Sequence, residues 1–424
     1  MVILATITLM VALAMGIPVA FSMGLAGVVY LLMINAYPSV LAAQLFGSLN
    51  SSGLLAIPFF VLAASVMSRG GATKRLITMI DALFGHYRGG LPLVAVIATT
   101  CFSAICGSSV ATAAAIGVVL IPEMIKRGYS VTLSVGLIAT AGGLGILIPP
   151  SVPLILYGLV TEQSVAKLFM AGMVPGLALS ILLGIAAYVF AVRSGVPTPQ
   201  PADWKVRKKA IKEAAGVIVM PVIVLGGIYG GFFIPTEAAA IAAIYAIVLT
   251  VVAYRVPVKD IFPMLTESAS TATMILFILI AAQLFSYVLT AERVPHEIFQ
   301  YVVDLKVSKV QFLIITTIFF LLAGMFLEII SIILITMPII GPILPSMGID
   351  PIHFGIILII NMELGVITPP IGLNLFVISG ISKIPVINVF KATLPWAITL
   401  LLFLLSVTFL PGMGELFSEI ASFF

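Results

Sequence analysis

Gly142-Gly143-Leu144-Gly145-Ile146-Leu147-Ile148-Pro149-Pro150 interrupts an apolar stretch over residues 131–159, and Gly365-Val366-Ile367-Thr368-Pro369-Pro370 interrupts another over 353–379. A Pro-Pro pair removes two backbone donors and collides with the preceding turn. The residue before each proline is pushed out of helical geometry as well. Both stretches are therefore expected to be broken helices, unwound at the glycines and prolines. The two motifs lie 220 positions apart, and the same offset pairs Pro122 with Pro342 and Gly128 with Gly348. Several such matches in one ungapped register point to an internal structural repeat.

The surroundings are those of a membrane protein. Hydrophobic residues make up 62% of the chain and charged residues 8%, with a mean hydropathy of +1.28. A soluble domain carries roughly 25% charged residues, so this chain has too few to cover itself against water. A span needs about 20 apolar residues. Apolar stretches run over 2–15, 18–34, 54–68, 131–159, 173–192, 214–232, 236–254, 263–289, 353–379 and 391–412. The segments 91–126 and 310–345 are also apolar but carry small or charged residues in their middles. The first stretch has no basic flank and is expected to be retained rather than cleaved. The net charge of +4 is too small to suggest nucleic acid. Cys101 and Cys106 form neither a disulfide framework nor a metal spacing.

Basic residues set the topology. Arg69, Lys74, Arg75, Arg88, Lys126, Arg127, Arg193, Lys205, Arg207, Lys208, Lys209, Lys212, Arg255, Lys259, Lys383 and Lys391 are 16 of the 20. The positive-inside rule assigns them to the cytoplasm. They share that side only if 91–126 enters and leaves by the cytoplasmic face, as a re-entrant hairpin. By the same logic 310–345 enters and leaves from outside. Ten crossings with both termini outside result, unless 2–34 is one long tilted helix. Residues 1–195 then form a first repeat and 213–424 an inverted second, joined by a basic linker at 196–212. Inverted repeats place the binding site at their interface, where helices are broken.

The chemistry is expected where hairpin tips meet breaks. Unwound carbonyls inside a membrane must be satisfied by protein, water or ions, and with hydroxyls they suit a hard monovalent cation. In the repeat register Ser108, in Cys106-Gly107-Ser108-Ser109, corresponds to Glu328. A carboxylate among apolar membrane residues is costly and so a functional candidate. Glu363 is a second, while Glu237, after Pro235-Thr236, reads as a favourable charge at a helix start. No Lys or Arg lies deep in a span. An anionic solute would then be held by half-helix N-termini and hydroxyls. Ser109, Thr112, Ser151, Tyr157 and Asn374 are plausible contacts.

Five blocks carry a family resemblance: Ile57-Pro58-Phe59-Phe60 with Arg69-Gly70-Gly71; Ser103 to Gly117; Gly142 to Pro150 with Tyr157-Gly158; Pro235-Thr236-Glu237-Ala238-Ala239; and Gly348-Ile349-Asp350 through Thr368-Pro369-Pro370. In order and over nearly the whole chain, they resemble the large membrane subunit of tripartite ATP-independent periplasmic (TRAP) transporters. The resemblance implies an elevator-type fold, two or more coupling sodium ions and no organic cofactor. It also implies a small four-helix membrane subunit, a periplasmic binding protein, and a small carboxylate solute such as a sialic acid, dicarboxylate or ectoine. Carried over by motif, a first sodium site involves Ser103, Cys106, Gly107, Ser108, Gly142, Gly145 and Pro149. A second involves Gly324, Glu328, Gly365, Thr368 and Pro369. Cys106 stands where the pattern has serine, and Glu328 where it often has aspartate.

Two rivals remain at this stage. One is a stand-alone sodium–carboxylate symporter of the same architecture. The other is an intramembrane enzyme, for which the three histidines, His86, His296 and His353, offer little. His296-Glu297 is followed by Gln300 where a zinc protease needs histidine.

Overall fold

The computed structural model describes residues 1–47 and 52–410, together with 412, 413 and 419. The end of the stretch expected over 391–412 and the tail of the second repeat to 424 fall largely outside them. The regular elements of the described residues are all helices, with no strand among them.

Helices α1 (Val2–Ala14) and α2 (Val19–Met33) are separate and pack on each other. Gly16, at φ +78, makes the turn between them, and Pro18 caps α2. After α3 (Pro38–Gly47), α4 (Ala56–Arg69) runs into α5 (Ala72–Phe84) with a bend of 63° at Gly70-Gly71. Helix α5 is amphipathic, as its alternation of Lys74, Arg75 and Asp81 with Leu76, Ile77 and Ile80 dictates.

Helices α6 (Gly90–Cys106) and α7 (Ser109–Lys126) form the first hairpin, joined by only Gly107 and Ser108. Gly107 takes φ +65, which glycine adopts without a Cβ penalty. Ser108 then caps α7, its Oγ accepting from Ala111 N at 3.4 Å. The first broken helix follows as α8 (Val131–Ala141), α9 (Leu144–Leu147) and α10 (Val152–Val160), bent by 41° across the break. The Pro149–Pro150 and Pro369–Pro370 bonds are both cis.

The long helix α11 (Val165–Arg193) leads to α12 (Trp204–Tyr229). The linker expected over 196–212 therefore divides. Residues 196–203 are irregular, while Trp204 to Lys212 open α12. Its prolines end before Asp203, so nothing stops a helix from starting there. Then come α13 (Pro235–Val248), continued by a π turn at Leu249–Ala253, α14 (Val258–Ala291) and the short α15 (Val294–Asp304). The second hairpin is α16 (Lys309–Gly324) with α17 (Ile329–Ile340). The second broken helix is α18 (Pro351–Gly365) with α19 (Leu373–Ser382), and α20 (Val386–Phe409) ends the described helices. The repeat-matched Gly128 and Gly348 both take positive φ, +95 and +65, in the turn before each broken helix.

Among the described residues six helices are long and apolar enough to cross a membrane, or eight if each bent pair is one span. Others, α1 and α2 among them, are apolar but shorter. Side chains such as Ile3, Phe21, Phe232 and Ile244 point outward, as lipid-facing residues do. This is a multi-pass, all-α membrane protein.

Packing gathers the helices around two centres, which meet where α14 packs on α17 and α4 on α6. In one, α2 packs on α14, α14 on α4, α4 on α13, and α13 on α12. In the other, the first hairpin packs on α8, α9 and α19, the second on α18 and α10, and α20 on α8 and α18. Helix α5 touches both groups, packing on α12 and on α6.

Candidate functional site

Each hairpin tip is seated in the break of its own half. In the first, Val152 N donates to Gly107 O at 3.4 Å. Gly145 lies so close that a Cβ there would stand 2.5 Å from Ser108 O and 2.6 Å from Thr112 Oγ1. In the second, Ile371 N donates to Met325 O at 3.0 Å, and a Cβ on Gly365 would stand 2.9 Å from Gly324 Cα. The hairpins thus end at the middle of the broken helices.

Of the residues assigned to a first sodium site, all except Ser103 and Gly142 take part in this seat or border it. Ser103 and Thr112 are fully buried; the Ser103 hydroxyl has no hydrogen-bond partner in the protein, and that of Thr112 faces the Cys106 thiol. A buried hydroxyl without a partner is unusual, and a cation is one way to satisfy it. Gly142 packs against Ala113 of α7, where a Cβ would stand 2.6 Å from the Ala113 Cβ. Pro149 is buried at the break. In the second half Gly324 and Gly365 meet at the hairpin–break contact, while Thr368 and Pro369 lie half-buried in the break and Glu328 half-buried on the hairpin. Thr368 Oγ1 donates to Leu364 O at 2.6 Å, which leaves its lone pairs free. Glu328 is the N-cap of α17, the counterpart of Ser108 at the N-cap of α7.

A cavity of about 440 Å³ lies between the two helix groups. One wall is Cys106 to Ala111 of the first tip and Glu328 to Ile330 of the second, with Ile146, Val152, Pro153, Val366 and Leu373 from the breaks. The opposite wall is α4, with Ser65, Ser68 and Arg69, and α14, with Glu267, Ser268 and Thr271. Four helices begin on this cavity: α7 at Ser109, α10 at Val152, α17 at Ile329 and α19 at Leu373. Each N-terminus presents unpaired N–H groups and roughly half a positive charge.

The five residues expected to contact solute are dispersed around this cavity. Ser109 lines it. Thr112 sits behind it, against Gly145. Ser151 is fully buried as the N-cap of α10, its Oγ donating to Ile146 O at 2.6 Å. Tyr157 packs on Gly355 and donates to the Pro351 carbonyl, tying α10 to α18 outside the cavity wall. Asn374 is fully buried and bonded to Ser109. Glu363, 1% exposed, lies outside the cavity lining with its stem against Gly143 of the first break. Neither of its oxygens has a hydrogen-bond partner in the protein. Glu237 accepts from Ile234 N at 3.0 Å and closes the start of α13.

Sequence reading missed the wall supplied by α4 and α14. Arg69 Nη2 lies 2.6 Å from Glu267 Oε2 across that wall. The available signal was Glu267 itself, an acid inside the apolar stretch 263–289.

A membrane cavity ringed by helix N-termini and closed by two seated hairpins defines a solute permease rather than an enzyme. Residues 6–413 match the family described as tripartite ATP-independent periplasmic transporter, DctM component. The chain belongs to that family. It is 43% identical over 396 residues to the C4-dicarboxylate TRAP transporter large permease of Pseudomonas aeruginosa, covering 93% of this chain and 92% of that one. The corresponding Vibrio cholerae protein is 41% identical over 422 residues, at 94% and 93% coverage. The solved YdaH transporter of Alcanivorax borkumensis shares the fold at a TM-score of 0.64 and 16% identity, over 90% of this chain and 86% of that one.

Proposed function

We propose that the chain is the translocating subunit of a sodium-coupled TRAP transporter that imports a small carboxylate-bearing solute. The observation that carries this is the convergence of four helix N-termini, two from each half, on one cavity. Such termini favour an anion by up to about 2 kcal/mol each in partly buried geometry. Relatives are named for C4-dicarboxylates, isethionate, ectoine and sialic acid, all of which carry an acidic group.

Sodium enters as co-transported substrate. Ser103 and Thr112 with the carbonyls around Gly145 would hold one ion, and Glu328 with Thr368 and the carbonyls around Gly365 a second. A bound cation ties each tip to its break, and the second also neutralises Glu328, which lines the cavity. The hairpins and breaks then move together against α2, α4, α13 and α14, carrying the cavity across the bilayer as an elevator. Both termini lie on the periplasmic side of the inner membrane.

A periplasmic binding protein delivers the solute, and a small four-helix membrane subunit completes the permease. The isethionate permease DctMQ supports a second membrane component, because the chain covers 96% of itself but 64% of that protein. Counterflow in liposomes tests the substrate class: a labelled carboxylate must exchange while its neutral amide does not. Equal exchange of both would refute an anion-selective cavity.

A further inference from the structure

Arg69 is the one basic side chain on the described cavity lining, and its role is not absorbed by holding the helix end together. It is the last residue of α4, where the freed carbonyls would normally attract it. That task falls to Arg75, whose guanidinium donates to Gly70 O at 3.2 Å and Gly71 O at 3.1 Å while stacking 3.7 Å over the Tyr254 ring. The backbone at the end of α4 is fixed besides: a Cβ on Gly70 would stand 2.7 Å from Thr250 Oγ1. Arg69 thus projects from a rigid point onto the wall opposite Ser109 and Glu328, and meets Glu267 of α14 at 2.6 Å. Both side chains are about half exposed, 52% and 47%.

An exposed ion pair contributes little, about 0–1 kcal/mol. Replacing one carboxylate partner by another at such a site therefore costs little, and a guanidinium matches a carboxylate or sulfonate fork. We propose that Arg69 binds the acidic group of the transported solute, and that Glu267 is its resident partner in the empty cavity, displaced when solute arrives and restored when it leaves. This rests on the anionic-solute reading above. Within that reading it names the specificity residue and gives Glu267 the role of an internal competitor. The scaffold side of the cavity thereby supplies a contact that the helix N-termini on the moving side do not.

The two partners make opposite predictions. The purified permease complex in nanodiscs, in sodium chloride, is titrated with succinate, isethionate, ectoine, N-acetylneuraminate and the neutral succinamide, with binding read calorimetrically. At least one anion binds and succinamide does not. For that anion Arg69→Gln weakens binding roughly fivefold, Arg69→Lys less, and Glu267→Gln tightens it roughly fivefold, as loss or release of an exposed ion pair implies. The double variant matches Arg69→Gln. Both single variants break the same pair, so a purely structural role moves both affinities the same way, and that result overturns the proposal. Native affinity in Arg69→Gln overturns it while the anionic reading stands. No anion binding to the native complex overturns both.

Discussion

Asn374 Nδ2 donates to Ser109 Oγ at 2.8 Å and to Ala139 O at 3.0 Å. A single amide in the second half thus pins the first hairpin tip and the first broken helix together. Asn374→Ala leaves a buried hydroxyl and a carbonyl without this partner, at a cost of about 1–3 kcal/mol. Thermal unfolding of the purified protein is expected to shift down accordingly. Transport should fall further than stability, because the tip it releases lines the cavity. An unchanged melting temperature would remove Asn374 from this role.

The glycines at the two seats have no room for a methyl group. Gly145→Ala places a Cβ 2.5 Å from Ser108 O, and Gly365→Ala places one 2.9 Å from Gly324 Cα. Both should unseat their hairpins, with about 1–3 kcal/mol of strain and loss of sodium-dependent uptake. Gly380→Ala, in the same helix as Asn374 but with nothing within 4 Å, is the control and should remain within about 0.5 kcal/mol of native.

The base of the first hairpin is held to α5 by Arg127, which reaches Asp81 Oδ1 and Oδ2 at 3.0 and 2.7 Å and Glu123 Oε1 at 2.9 Å. Asp81→Asn is expected to cost about 1 kcal/mol at low ionic strength. The difference from native should shrink as salt is raised. Urea or thermal titrations at two salt concentrations would check this, and a salt-independent difference would exclude an electrostatic tie.

Glu328→Gln keeps the shape of the side chain and removes its charge. With Glu328 as a sodium ligand, the apparent sodium constant for uptake should rise roughly fivefold, equivalent to about 1 kcal/mol, in a folded protein. An unchanged sodium dependence would place Glu328 outside the ion site.

The broken helices were legible because proline acts locally: Pro149-Pro150 and Pro369-Pro370 unwind any helix they enter. The repeat offset carried further than composition, since it paired Ser108 with Glu328 and both stand at the N-cap position of the returning arm of a hairpin. The amphipathic α5 and α15 escaped because a search for uniformly apolar stretches does not see one-sided helices. Tyr157 and Asn374 looked like solute contacts by chemistry alone. In the fold the Tyr157 hydroxyl donates to the Pro351 carbonyl, and the Asn374 Nδ2 donates to Ser109 and Ala139. The Arg69–Glu267 wall was illegible because its two residues meet only once α4 and α14 have packed.

Elevator motion requires the tips to change height against α14. Single cysteines at Ser109 and at positions along α14, in a background lacking Cys101 and Cys106, should crosslink in two separate registers as sodium and solute are varied. Ser109 and Thr271 line the same cavity in the present state, so crosslinks confined to that level would favour a local gate.

The most direct measurement is uptake by the whole system. The chain and its small membrane partner are reconstituted in liposomes, the binding protein is loaded with labelled solute outside, and an inward sodium gradient is imposed. Concentrative uptake is expected with sodium and with the binding protein, and not with an equal potassium gradient. Equal uptake on potassium, or a full rate without the binding protein, would contradict a sodium-coupled tripartite mechanism.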